Sequence, residues 1–411
     1  MPNVLALILA GGRVDELDVL TYFRPKSVMP FGALYRIIDF PMSNLMNSGI
    51  EKVGILSQYR PLRLIGHIAN GQPWDMVGRN RFATILPPYK GREMSDWYKG
   101  TADAIYQNLE FVKLNKPDLI LILSGDHIYK MDYQRLISFH LYNKADLTIG
   151  FTPLPRAGAS RFGQASIEGW SRSGGKVVQY AEKPEKRLLE WASLTIYLFN
   201  PQILYRALEA NAASDSHEFG KDIIPALVEN SRVFGFKHYG YWGYSRTIEE
   251  YWQSNMDLLG KRPRIDIASW KVMTNMADRN IRDCPPAVIG PAAFIENSLF
   301  YSGCTLRGRV VNSVLFPGVI IEEGATVRDS VLFFDTIVRR EATVIRTITD
   351  LEVTVGAKAK IGDDHDGAIS VVGTRSVIPD ETIVHHGVVI RPNIPAVRFS
   401  QREYAAGEVV K

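Results

Sequence analysis

Gly11-Gly12-Arg13 follows directly on the aliphatic run Val4–Ala10. A covered parallel strand that ends in two glycines lets the backbone turn sharply and bring N–H groups against an anion. The chemistry it points to is phosphate binding. Lys26, in Arg24-Pro25-Lys26-Ser27, could screen phosphate charge; alone it reads as a solvated surface lysine. Asp126 stands just past a second aliphatic run, Leu119–Leu123, where a carboxylate could hold Mg²⁺ beside a nucleotide's phosphates. Taken alone, the same aspartate reads as a helix N-cap. Glu182-Lys183 before Pro184 offers hydrogen bonds to a sugar and a cation to its phosphate; the simpler alternative is a surface ion pair. Trp97-Tyr98-Lys99-Gly100-Thr101-Ala102-Asp103 leads into a helix N-terminus, an anion-facing end, unless the loop is packed for stability alone.

The elements that must position these groups alternate strand and helix up to about residue 260. Lys52–Ser57 reads as a second strand and Leu119–Leu123 as a third. Thr101 is expected to cap a helix running to Lys113, with Ile105, Leu109 and Val112 on one face. A helix over 131–143 and a strand over 146–152 follow, and Tyr180–Pro184 closes a hairpin strand. This order predicts a doubly wound parallel sheet with ligands at the carboxyl ends of its strands.

Beyond about residue 290 the period becomes six. Val372, Ile378, Val384 and Ile390 keep the step, with Val371, Val377, Ile383 and Val389 beside them. Leu332, Val338 and Val344 do the same, as do Val355 and Ile361, and Val314 and Ile320. Aliphatics at this spacing with interspersed glycine predict a β-helix of short stacked strands. Pro263, Pro285 and Pro286 mark the stretch between as a linker.

Composition narrows the class. The chain has 411 residues, 46% hydrophobic and 22% charged, with a net charge of +4. That is a two-domain globular protein with no charge argument for nucleic acid or membrane. Cys284 and Cys304 are too few for a disulfide framework or a zinc cage, which suits a reducing cytoplasm. Residues 4–10 lack the basic flank and cleavage site of a signal peptide.

Taken together, the motifs resemble bacterial glucose-1-phosphate adenylyltransferase. The matching stretches are Val4–Arg13, Pro30-Phe31-Gly32, Tyr35–Pro41, Ser43–Ile50, Trp97–Ala104, Ser124–Lys130, Phe162-Gly163, Glu182-Lys183-Pro184 and Phe219–Pro225. The resemblance implies an α/β fold, with a Rossmann-like nucleotidyltransferase domain over 1–262, a linker over 263–290 and a left-handed parallel β-helix over 291–400. It also implies adenylyl transfer from ATP to glucose 1-phosphate, with pyrophosphate released. Tyr98, Gly163, Glu182, Lys183 and Ser193 would hold the sugar phosphate. Gly11, Gly12 and Lys26 would face the nucleotide phosphates, and Asp126 would bind Mg²⁺. A cytoplasmic homotetramer, or a hetero-oligomer with a paralogous subunit, is the implied assembly.

Three stretches depart from the family pattern. Gly-Gly-x-Gly-x-Arg-Leu becomes Gly11-Gly12-Arg13-Val14-Asp15-Glu16-Leu17, so a carboxylate replaces the phosphate-facing arginine, with Arg13 as a substitute nearby. Tyr-Trp-Arg-Asp-Val-Gly-Thr-Ile becomes Tyr241-Trp242-Gly243-Tyr244-Ser245-Arg246-Thr247-Ile248, which replaces a metal-binding aspartate by Tyr244. Leu194-Thr195 stands where Met-Gly usually follows Ser193. The chain is therefore either an active adenylyltransferase with a rebuilt phosphate and metal site, or a non-catalytic regulatory subunit that binds sugar phosphate beside an active partner. Asp126, Lys26 and Lys183 all survive, which favours the enzyme. A hexapeptide-repeat acyltransferase using His385 or His386 would leave the amino-terminal half unexplained.

Overall fold

A computed structural model describes residues 2–12, 14–88, 97–156, 158–278, 281–365 and 367–411, with the backbone alone at Trp170. By internal contact the chain forms two compact units. Residues 1–12 and 40–242 make the first, and residues 13–39 and 243–411 the second.

The first unit is built on a nine-stranded sheet. Its strands are β1 (Val4–Leu9), β2 (Lys52–Leu56), β3 (Phe82–Leu86), β4 (Leu119–Ser124), β5 (Leu147–Pro153), β6 (Gln164–Ser171), β7 (Gly174–Ala181), β8 (Trp191–Phe199) and β9 (Val233–Lys237). They lie in the order β3-β2-β1-β4-β8-β5-β9-β7-β6. The β3-β2-β1-β4 half is wholly parallel, with Leu7 opposite Gly54 on one side and Ile122 on the other. Leu5, Leu7, Ile120 and Ile122 are buried in the core, as their continuous aliphatic runs predict.

The other half corrects the expectation of a doubly wound parallel sheet. Strand β8 is antiparallel to both β4 and β5, and β7 to both β9 and β6. The hairpin β6–β7 and the long return strand β8 bring the Glu182 and Ser193 regions to this mixed half. A hairpin needs only a tight turn, whereas a parallel neighbour needs a crossover.

The single helix expected from Thr101 to Lys113 is two helices, α1 (Thr101–Tyr106) and α2 (Leu109–Leu114). Asn108 explains the break. Its side-chain amide donates to the Ala104 carbonyl at 2.8 Å, the acceptor its own backbone N–H would take in a continuing helix, while that N–H turns to Ile105. The apolar face survives, with Ile105, Leu109 and Val112 all buried. Helix α3 (Tyr133–Tyr142) is capped by Asp132, whose carboxylate accepts from Gln134 N at 2.9 Å.

Thr195 sits at φ +53°, inside a register shift of β8 between Ser193 and Tyr197. A β-branched residue is strained there, and the glycine of the family pattern would not be.

The second unit holds three stacks of two- and three-residue parallel strands, the coils of a left-handed β-helix. Thr326 pairs with Thr343 and Thr343 with Lys360, so a coil spans about three hexapeptides. Val338, Val344, Val355, Ile361, Val372, Ile378, Val384 and Ile390 point into its core. The companion row behaves differently, because neighbours in a strand face opposite ways. Val377 is exposed, whereas Val371 is buried. Near the start the inner row is Leu315 and Ile321, one residue on from the expected Val314 and Ile320.

Val371, Val331 and Val314 are buried because their stack's outer face is covered within the same unit. Tyr251, on α4 (Ile248–Met256), sets its ring edge-on to Phe333, and Trp252 Nε1 donates to Asp329 O at 2.7 Å. The Arg36 guanidinium lies 4.8 Å over the Phe334 ring, and Arg24 pairs with Asp350. Residues 263–290 carry a helical turn, Ile267–Trp270, and bury Ile265, Val272 and Ile281. His385 and His386 are both engaged by Asp363, and His385 also by Glu403 at 2.9 Å. Cys284 and Cys304 are not joined in a disulfide. No helix among the described residues is long and apolar enough to cross a membrane.

Candidate active site

In the first unit, four of the five expected sugar-site residues meet around one carboxylate. Glu182 follows β7, and its Oε2 accepts from the Tyr180 hydroxyl at 2.7 Å. A Cβ on Gly163 would lie 2.1 Å from Tyr180 Oη and 2.7 Å from Glu182 Oε2. A Cβ on Gly220 would lie 2.2 Å from Glu182 Oε2. A side chain at either glycine would force Tyr180 or Glu182 to move. Ser193 N donates to Gly163 O at 2.8 Å. Ser193 Oγ is buried without a well-formed hydrogen bond among the described residues, beside the phenols of Tyr180 and Tyr197. Burial, then Tyr197 and Glu182, push the Tyr180 phenol well above its ordinary pKa, so it stays a neutral donor. Lys183 Nζ stands 3.6 Å from Glu182 Oε1, and the lysine side chain is 57% exposed. The result is a pre-set carboxylate, a buried hydroxyl beside two phenols and a solvent-facing cation, which is what a phosphorylated sugar needs.

Tyr98 behaves differently. Its phenol donates to Leu86 O and accepts from Asn108 Nδ2, both at 3.0 Å, so it braces the loop before α1. The anion-facing end expected at α1 is spent inside the protein. Lys99 N donates to Asp103, Thr101 N to Glu218 and Ala102 N to His217 O. The Thr101 hydroxyl donates to Glu218 at 2.6 Å instead of capping its own helix. Through Glu218 and Phe219 this loop is fastened to the Gly220 segment beside Glu182.

Asp126 lies in the turn after β4, followed by a short strand, Ile128–Tyr129. The N-cap alternative falls away, because Asp132 caps the helix that comes next. The Asp126 carboxylate accepts from Ser124 Oγ and stands 3.4 Å from His127 Nε2. His127 and Phe162 each set a ring edge-on to Trp242, both at 5.3 Å between centroids. One indole thus holds the Asp126 turn and the Gly163 loop to a common wall. Gly11 lets the end of β1 approach Gln58, whose N a Cβ would meet at 2.8 Å, whereas Gly12 has nothing within 4 Å. Arg13 lies outside the described residues.

In the second unit, Lys26 is 1% exposed, which excludes a solvated surface lysine. Its ammonium donates to the Tyr244 carbonyl and lies 5.0 Å from the centre of the Tyr244 ring. Arg246 NH1 donates to the Tyr244 hydroxyl at 3.0 Å, and its Nε to Glu16 Oε1 at 2.9 Å. Burial opposes the Arg246 charge, but Tyr244 and Glu16 outweigh it and hold its pKa above the ordinary value. Glu16 is therefore no bare carboxylate.

Residues 5–261 match the nucleotidyl transferase family, and residues 290–371 match the GlmU-like C-terminal hexapeptide family. The chain is 39% identical to the glucose-1-phosphate adenylyltransferase of Acetivibrio thermocellus, over 97% of this chain and 95% of that protein. Against the enzyme of that name from Thermotoga maritima it is 39% identical over 100% and 99%. Against that of Clostridium perfringens strain 13 it is 41% identical over 92% and 94%. The chain belongs to the glucose-1-phosphate adenylyltransferase family.

Within that family frame, Asp126 is the one expected metal ligand, and among the described residues no three His, Cys, Asp or Glu gather as a metal cage. A single carboxylate suits Mg²⁺, which commonly takes one or two protein carboxylates and completes its shell with substrate phosphates and water. The residues that sequence reasoning missed are Tyr180, Trp242 and Arg246. Trp242 and Arg246 stand in the very motif that departs from the adenylyltransferase pattern.

Proposed function

We propose that this chain transfers the adenylyl group of ATP to glucose 1-phosphate, making ADP-glucose and pyrophosphate for α-glucan synthesis. The observation that carries the proposal is the Glu182 carboxylate set close against Gly163 and Gly220, with Lys183 beside it and Ser193 bonded to Gly163. A phosphate oxygen of the sugar attacks the α-phosphorus of ATP. The bond from that phosphorus to the bridging oxygen breaks, and pyrophosphate leaves with the electron pair. No protein nucleophile is needed, so the work is positioning and charge neutralisation.

Glu182 accepts hydrogen bonds from sugar hydroxyls, Ser193 adds a hydroxyl contact, and Lys183 neutralises the sugar phosphate. Lys26, with Gly11, Gly12 and Arg13, serves the nucleotide phosphates. Asp126 would hold Mg²⁺, which when bound neutralises charge on the nucleotide phosphates. Two cysteines that are not joined in a disulfide support a cytoplasmic setting. The exposed Val288, Ile289 and Phe294 of the first β-helix coil support assembly, either as a homotetramer or with a paralogous subunit.

One observation favours the regulatory-subunit alternative. The Lys26 ammonium already donates to a backbone carbonyl, at Tyr244, which a catalytic cation would have to leave or share.

Lys183→Ala tests the assignment. Loss of one charge-assisted contact should raise KM for glucose 1-phosphate about ten-fold, or ~1.5 kcal/mol, with KM for ATP little changed. The figure is at the low end because the side chain is more than half exposed before substrate binds. Kinetics with both substrates varied read this directly, and an unchanged sugar-phosphate KM would remove Lys183 from the site.

A further inference from the structure

Arg246 is a guanidinium held ready for an anion. Glu16 takes its Nε and the Tyr244 hydroxyl takes one N–H of NH1. The NH2 edge makes no hydrogen bond among the described residues, and the side chain is 34% exposed. Two anchors fix the plane and leave the NH2 edge without a hydrogen bond among the described residues, the arrangement suited to two parallel hydrogen bonds to a phosphate. Its pKa, held above the ordinary arginine value, keeps it charged at any working pH.

The neighbourhood says which phosphate. The Tyr244 ring carries Lys26 at 5.0 Å and Arg246 at 6.0 Å. Its carbonyl takes the Lys26 ammonium, and its hydroxyl takes Arg246. Tyr244 thus binds two cations into one group, with Glu16 as the counter-charge on the far side of Arg246. Repulsion between two cations is lowered by a shared electron-rich ring, and a polyphosphate can engage both.

We propose that Arg246 is a phosphate-binding residue for the nucleoside triphosphate, acting with Lys26, and that Glu16 and Tyr244 orient its guanidinium. This rests on the adenylyl-transfer reading above, and it extends that reading to a residue outside the matching motifs. Glu16, which by itself would repel a triphosphate, becomes the clamp that aims the arginine. The two departures from the family pattern, 230 positions apart in sequence, are then one change.

The test compares the full-length parent with Arg246→Ala and Arg246→Lys, using steady-state kinetics in both substrates and calorimetric binding of MgATP. Arg246→Ala is expected to raise KM and Kd for ATP at least ten-fold, while KM for glucose 1-phosphate stays within about two-fold. Arg246→Lys should recover part of the loss, as a point charge without the fork, and it covers the case in which the alanine variant misfolds. Unchanged ATP affinity in Arg246→Ala, or a rise confined to glucose 1-phosphate, would overturn the assignment. A parent that binds MgATP but does not turn over would defeat the adenylyltransferase reading alone, and the Kd ratio would still decide Arg246. A parent that binds no nucleotide would overturn both.

Discussion

Asp350→Ala is expected to destabilise the second unit by about 3–5 kcal/mol. Arg24 and Asp350 pair with side chains 2% and 0% exposed, so water cannot take over when the carboxylate goes. Asp350 also accepts from Leu351 N at 2.8 Å, and Arg24 lies 5.9 Å over the Phe333 ring. Removing the acid strands a buried guanidinium over the Phe333 ring with Arg36 nearby. The pair itself is no evidence of net stability, because taking both charges out of water offsets their attraction. Arg24→Met with Asp350→Leu should therefore recover most of the loss. Urea unfolding of the parent, the single variant and the double variant reads both numbers. A single-variant loss under about 1 kcal/mol would mean that solvent reaches the pair.

Gly163→Val should lower kcat/KM for glucose 1-phosphate by about a hundred-fold or more, a loss of ~2.7 kcal/mol. The substituent must displace the side chains that set the site. Its Cβ would sit 2.1 Å from Tyr180 Oη, and Tyr180 is held by its bond to Glu182. The Gly220 segment also lies close to Glu182 and limits where its carboxylate can go. The carboxylate that receives the sugar must move, whereas the Lys26–Tyr244–Arg246 group belongs to a separate set of contacts. KM for ATP should stay near the parent value. A thermal melt establishes that the variant folds, and parental sugar-phosphate kinetics in a folded Gly163→Val protein would take Glu182 out of the sugar site.

What could be read from the sequence was what local pattern determines. Continuous aliphatic runs gave the parallel half of the sheet, and the six-residue period gave the β-helix, because both follow from which side a side chain faces. Glu182, Lys183, Gly163 and Ser193 were named from motifs, and the fold gathers them. What failed was competition for backbone groups. Asn108 diverts the Ala104 carbonyl and breaks one helix into two. His217 and Glu218 use the N–H groups that looked ready for an anion at α1. Asn108 acts from inside the stretch it breaks, whereas His217 and Glu218 lie far along the chain from the N–H groups they take. Arg246 was invisible for a related reason. A substitution read one position at a time makes Glu16 a defect, and only the folded chain places its compensating cation beside it. Thr195 shows the opposite case, since glycine is missing from the pattern and the backbone keeps the left-handed turn that glycine would favour.

The most direct measurement is pyrophosphate release by the purified chain alone, supplied with ATP, glucose 1-phosphate and Mg²⁺. Steady turnover that requires both substrates and yields ADP-glucose in equal amount is expected. Absence of pyrophosphate from a folded chain that still binds glucose 1-phosphate would contradict it, and would make the protein the sugar-phosphate-binding, non-catalytic member of an assembly.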